Sequence, residues 1–225
     1  MTPSARGREK SVKTPKALGR PPRTKASANG DSTREQLLAV AETVFAKHGF
    51  AGASFRTLGS AAGLSNAAIL YYFPSKKKLY AAVLARVEES FRAGLIALDF
   101  SGEPPERVRR IVDYQLAWGR QNPAYVQIMM RDLAENRDRI PYARKMAMEE
   151  SMSIIRRAYL DLHATGRLGD IDPTMLQYVV SGAIIYFQVA FPTVSRLVGS
   201  PDWHDLERNF TATIHAMLRC CIGGS

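Results

Sequence analysis

An all-α fold in two unequal parts is what this chain predicts: a short N-terminal three-helix unit, then a larger helical bundle. Three observations carry that reading. Apolar residues recur at three-four spacing from Leu37 onward, Ser and Thr stand at helix-start positions, and no segment alternates apolar and polar residues as a half-buried strand would. With 225 residues, 46% apolar and 23% charged, the chain can bury a substantial core, which excludes whole-chain disorder.

Residues 1–31 are rich in Pro, Gly, Ser, Thr, Lys and Arg without apolar periodicity, and are expected to form a disordered basic arm. Of the net charge of +10, Met1 to Gly30 hold +7, from eight basic residues against Glu9, and the remainder only +3. From Ser32 the pattern changes. Ser32 with Glu35, or Thr33 with Gln36, reads as a capping box, and Leu37, Ala41, Val44, Phe45 and His48 then share a helical face. Gly49 is expected to end this helix as a left-handed cap, with Phe50 touching Phe45 across it. Ser54 caps a short second helix that turns Phe55, Leu58 and Ala62 inward. Gly63-Leu64-Ser65 breaks it, and Ser65 caps a third helix running to Phe73. Pro74 stops that one, because the residue before proline is pushed out of helical geometry, and Ser75 caps a fourth from Lys76 to about Ala97. Short helices joined by a tight turn make a helix-turn-helix over residues 32–78.

Residues 79–225 divide at Pro and Gly into longer helices near Glu106 to Arg120, Ala124 to Glu135, Tyr142 to Thr165, Pro173 to Phe191 and Asp202 to Cys221. Trp203, Leu206, Phe210, Thr213, Met217 and Cys220 form a seam that needs a partner helix. The helix from Pro173 is apolar on both sides: Leu176, Val179, Val180, Ala183 and Phe187 on one, Tyr178, Ile185, Tyr186 and Val189 toward the other. A surface helix would keep one polar face, so this one is expected to be covered by its own core and by a second subunit. Pro173 to Ser195 carries no charge and is long enough to span a bilayer, but Gln177, Ser181, Gln188 and Pro192 interrupt it, so no membrane partner is expected.

The segment from Ser54 to Lys78 is the most informative. Ala61-Ala62-Gly63-Leu64-Ser65 and Tyr71-Tyr72-Phe73-Pro74-Ser75-Lys76 resemble the TetR family of bacterial transcriptional regulators over Thr33 to about Leu79. That resemblance implies a DNA-binding N-terminal domain and a C-terminal bundle for ligand binding and dimerisation. It also implies an effector that shifts the helix starting at Lys76 and so changes the separation of two recognition helices on a palindromic operator. Tyr72 and Lys76 match phosphate-contacting positions, and Arg56 matches one that reaches a base in some members. Leu70 stands where the family usually has Tyr, and Gly59 where it usually has Ala.

Physical chemistry bears on the same residues. Lys76, Lys77 and Lys78 occupy the first turn of a helix, where its dipole disfavours cations, so something anionic such as a phosphate should compensate; a solvated charge run is the alternative. Tyr71 and Tyr72 point about 100° apart on a helix, so one is expected inside and one on DNA. In the recognition helix led by Ser65, Asn66 can pair with adenine, and Ala67 and Ala68 can touch thymine methyls. Arg56 reads equally as an exposed helix charge. Leu18-Gly19-Arg20-Pro21-Pro22-Arg23 resembles arms that place Arg in a narrow minor groove, or is a plain solvated tail.

No phosphate loop, dinucleotide fingerprint, Gly-x-Ser-x-Gly or His-Glu-x-x-His occurs, so neither catalytic residues nor a cofactor is expected. His204, His215, Cys220 and Cys221 match no standard metal spacing. The two adjacent cysteines make no disulfide framework, and without a signal peptide the expected compartment is the cytoplasm. Methionines and aromatics of the middle helices suggest a pocket for a mostly apolar or aromatic effector, with Tyr114, Trp118, Met130, Met152 and Tyr186 as its lining; Gln115, Gln127 and Gln188 could orient a polar group. The expectation is a homodimeric repressor of double-stranded DNA released by a small molecule. An architectural DNA binder without effector is the alternative, and a helical enzyme or membrane-anchored protein the weaker one.

Overall fold

The computed structural model describes residues 25–135, 148–197, 199 and 203–223, and all regular structure among them is helical. The helices are α1 (Lys25–Gly52), α2 (Phe55–Ala62), α3 (Asn66–Tyr72), α4 (Lys76–Ile96), α5 (Pro104–Gln121), α6 (Pro123–Glu135), α7 (Glu149–His163), α8 (Pro173–Leu197) and α9 (Trp203–Gly223). Of the expected basic arm, residues 1–24 lie outside the described residues, as do residues 142–147 of the helix expected from Tyr142.

α1 starts earlier than its sequence signals suggest. It begins at Lys25, so Ser32 and Thr33 lie inside the helix and not at its cap. Between Pro22 and Pro74 the chain has no proline, and every amide can donate along the helix. Gly49 does break α1, at φ 67° and ψ −179°. That ψ is not the value near +45° of a left-handed cap; it lies in a region essentially open only to glycine, and the chain makes one more turn to Gly52. Phe45 and Phe50 both pack on Tyr80 of α4, at 4.9 and 5.1 Å between ring centroids.

The three expected serine caps form. Ser54 Oγ accepts from the Thr57 amide at 3.0 Å, Ser65 Oγ from Ala68 at 3.1 Å and Ser75 Oγ from Lys78 at 3.2 Å. Gly63 closes α2 in the left-handed region, and Gly59 lets the turn pack: a Cβ there would lie 2.5 Å from the Leu64 carbonyl oxygen. Backbone cannot yield as a side-chain tip can. Gly59→Ala should therefore destabilise the protein by about 1–3 kcal/mol of overpacking, less about 1 kcal/mol of gained helix propensity. A chemical-denaturation midpoint equal to or above the wild-type value would show that the turn relaxes.

In the larger part, α5, α7 and α8 enclose a core that includes Val108, Ile111, Val112, Ile155, Tyr159, Leu162, Val180 and Ile184, with α9 laid against α5 and α8. α8 has an unusual distribution of polarity. Its buried edge is Leu176, Gln177, Val180, Ser181 and Ile184, while Tyr178, Val179 and Tyr186 are 67%, 57% and 66% exposed. Val179, expected on the same side as Leu176 and Val180, is thus separated from them, because the edge that packs repeats from Leu176 and Gln177 at four-residue steps. The α9 seam is likewise divided. Phe210 stacks on Phe187 of α8 at 4.1 Å, with Ile214 and Leu218 buried beside it, whereas Thr213, Met217 and Cys220 face outward. Pro173–Phe191 is long and apolar enough to cross a membrane by length and composition.

Candidate nucleic-acid interface

α3 is amphipathic over seven residues, and its packing follows directly. Ile69 is fully buried and Phe73, just past its end, is buried too, anchoring the helix to the core beside α2. Ser65, Asn66, Ala67, Leu70 and Tyr71 are consequently exposed on the opposite side, with Ala68 half-buried between. Tyr71 is 82% exposed; Tyr72 is half-buried against the core, and the two rings meet edge to face at 5.1 Å. Arg56 is exposed on α2. Arg34 lies 5.0 Å over the Phe73 ring, a cation–π contact that holds α1 to the end of α3.

Lys76 is engaged in a different way from the one its position suggests. Its Nζ donates to the carbonyls of Phe50 at 2.8 Å and Ala53 at 2.9 Å and lies 4.5 Å over the Phe50 ring. The negative charge expected at the start of α4 is thus supplied by the Phe50 and Ala53 carbonyl oxygens, in the last turn of α1 and just past it. Lys77 and Lys78 remain exposed beside them.

A second set of contacts ties this region to α6. Arg131 donates from Nε to the Ala46 carbonyl at 2.9 Å and from Nη2 to the Lys47 carbonyl at 3.1 Å, capping α1 just before its break. The Tyr80 hydroxyl donates to Asp132 at 3.1 Å, and Glu135 approaches Gly49. Arg86 of α4 holds Glu35 at 2.8 Å and Glu42 at 3.0 Å. Burial raises the Glu42 pKa, with Arg86 and a hydrogen bond from Tyr125 of α6 opposing it. Sequence reasoning missed Arg131, since with Glu135 four residues on it looks like an ordinary exposed helix pair.

The five residues expected to line an effector pocket do not converge. Tyr114 donates to the Phe91 carbonyl of α4, and burial pushes its pKa up to about 12. Trp118 donates to Ser90 Oγ at 3.1 Å and packs edge-on to Phe91 at 4.9 Å. Met152 of α7 accepts from Gln177 at 3.8 Å, Met130 is half-buried on α6, and Tyr186 is on the outer face of α8. The first two rings are consumed in joining α4 to α5, and the helical repeat of α8 carries Tyr186 away from the core. Two cavities lie elsewhere. One is an open groove of about 520 Å³ between α5 and α9, where Asp113 meets His215 at 2.9 Å and Arg120 meets Glu207 at 3.1 Å. The other, of about 260 Å³, lies between α5, α6 and α8. Among the described residues no group of three or more His, Cys, Asp or Glu could hold a metal ion, and both cysteines are free thiols.

Comparison with known proteins bears on the same elements. Residues 37–83 match the family model for bacterial regulatory proteins of the tetR family. The HTH-type transcriptional regulator RutR of Escherichia coli (strain K12) is 24% identical over 204 residues, 89% of this chain and 93% of its own. The HTH-type transcriptional repressor NicS of Pseudomonas putida is 27% identical over 164 residues, 70% of this chain and 76% of its own. In fold, the chain is similar to AibR, solved in complex with isovaleryl coenzyme A and operator DNA. The TM-score is 0.64 at 17% identity, covering 82% of this chain and 97% of that one.

Proposed function

Because this chain belongs to the TetR family of helix-turn-helix transcriptional regulators, we propose that it is a cytoplasmic homodimeric repressor, released from a palindromic operator by a small, mostly apolar or aromatic molecule. The observation that carries the proposal is the exposed side of α3, where Asn66, Ala67 and Tyr71 are presented while Ile69 and Phe73 anchor the helix behind them. Asn66 offers an amide for adenine, Ala67 and the edge of Ala68 fit thymine methyls, and Ser65 fixes the helix start that carries them. Arg56 extends the reading surface from α2. Phosphate contact falls to Tyr71, Lys77 and Lys78, since the Lys76 ammonium has carbonyl partners and Tyr72 packs inward. The similarity to NicS, a repressor, and to AibR, solved with both an acyl thioester and operator DNA, supports repression with an effector. The exposed apolar face of α8, with Met217 of α9, supplies the surface for a second copy.

The test is DNA binding across salt. Lys77→Ala and Lys78→Ala should each reduce the salt slope of binding by about one and weaken operator and random DNA alike. Tyr71→Ala should weaken both without changing the slope. Asn66→Ala should relax preference at one base pair by about 1–3 kcal/mol. Uniform coating of DNA by the wild-type protein, without a footprint at one operator, would sink the repressor reading in favour of an architectural role.

A further inference from the structure

We propose that the cavity between α5, α6 and α8 binds a small uncharged molecule through an amide-like group, held by the side-chain amides of Gln188 and Gln127. The inference rests on the regulator reading, since an effector would act from this site. The cavity holds about 260 Å³, with Pro123, Val126, Val189 and Phe191 as apolar wall and the two glutamines as its uncharged polar groups. A few placed polar groups on apolar lining are what orient a small ligand.

Charge separates the possible ligands. Arg120 is the charged residue in this lining, and its guanidinium is held by Glu207 at 3.1 Å. A carboxylate entering the cavity would lose its hydration and meet a cation already paired, whereas an amide would exchange water for glutamine at little cost. Gln188 is fixed in place: its Nε2 donates to the carbonyls of Gln115 at 3.3 Å and Leu116 at 3.1 Å. That approach requires glycine at position 119, where a Cβ would lie 2.1 Å from Gln188 Oε1. One turn earlier on α5, Gln115 is buried and donates to Ser181 Oγ at 3.1 Å, which leaves its Oε1 as a buried acceptor without a donor. Such an atom costs stability until a donor reaches it. The cavity also has a route outward. Pro123, Val126 and Gln127 form the first turns of α6, and Arg131, one turn beyond Gln127, holds the α1 carbonyls. An occupant that displaces α6 displaces the cap of α1 with it.

The experiment uses the full chain and three probes on one ring: benzamide, benzoate and toluene, followed by saturation-transfer NMR and thermal shift. Benzamide should bind at least about tenfold more tightly than either of the others. The preference should vanish in Gln188→Leu and fall by about threefold or more in Gln127→Leu, whose exposed side chain can be changed without disturbing the fold. Absence of benzamide binding, equal binding of the three probes, or a preference intact in both variants overturns the site. Operator binding without any compound tests the regulator reading separately. Its failure leaves the benzamide result standing, and bound benzamide with unchanged operator affinity keeps the site but overturns its effector role.

Discussion

Replacing Lys76 by alanine should destabilise the protein by about 2–4 kcal/mol, one of the largest single-residue effects expected in the N-terminal region. The substitution removes two charge-assisted hydrogen bonds, to the Phe50 and Ala53 carbonyls, and the cation over the Phe50 ring. For a chain of this size that is a fall in Tm on the order of 5–15 °C. Lys76→Met keeps most of the stem and should lose nearly as much, which assigns the loss to the ammonium. DNA affinity will drop as well, but only through the fold. At a temperature where both proteins are folded, the salt dependence of binding should be unchanged, because Nζ serves carbonyls and not phosphate. An unaltered melting curve combined with a salt slope lower by about one would reverse this assignment.

The second large effect concerns α8. Tyr186→Glu should turn a dimer into a monomer and reduce operator affinity by about a hundredfold or more. The unpaired charge would be buried in the contact, at a cost of about 3 kcal/mol or more, and the two reading heads would lose their linkage. The fold of the single chain should survive, since Tyr186 is exposed within it. Met217→Glu on α9 should act in the same direction. Phe210→Glu would be a poorer probe, because Phe210 stacks on Phe187 inside the chain and its loss would disturb α8 directly. Analytical sedimentation decides the matter. A Tyr186→Glu dimer of wild-type strength would place the contact on other helices, and recovery of the wild-type chain in membranes would give the α8 face to lipid.

What the sequence discloses follows from the range of each interaction. The starts of α2, α3 and α4 are legible because a serine cap reaches only three residues ahead, and the stop at Pro74 acts on its neighbour. The inward direction of Lys76 is not legible, since its acceptors are 26 and 23 residues away and are carbonyls that any residue would offer. The two tyrosines are an intermediate case: their spacing separates their directions, but packing of Ile69 and Phe73 decides which of them turns out. For α8, apolar residues on all sides raise the expectation of two covered faces, of which the chain itself covers one. Only the neighbouring helices decide that Gln177 and Ser181 are on the inner one. The scatter of the five expected lining residues has the same reason. Aromatic composition marks residues able to line a pocket, and here Tyr114 and Trp118 are used as bolts between α4 and α5.

The capping of α1 by Arg131 bears on whether the reading head is portable. The carbonyls of Ala46 and Lys47 find their donors on α6, some 85 residues further along the chain, and Tyr80 leans on Asp132 of the same helix. A fragment cut after α4 would keep every element of the helix-turn-helix yet leave the end of α1 open to fraying and solvent. Grafting this head onto a foreign sensor domain would therefore require importing α6, or designing a substitute guanidinium into the host. The specificity of such a chimera would depend as much on that borrowed arginine as on the residues that touch bases.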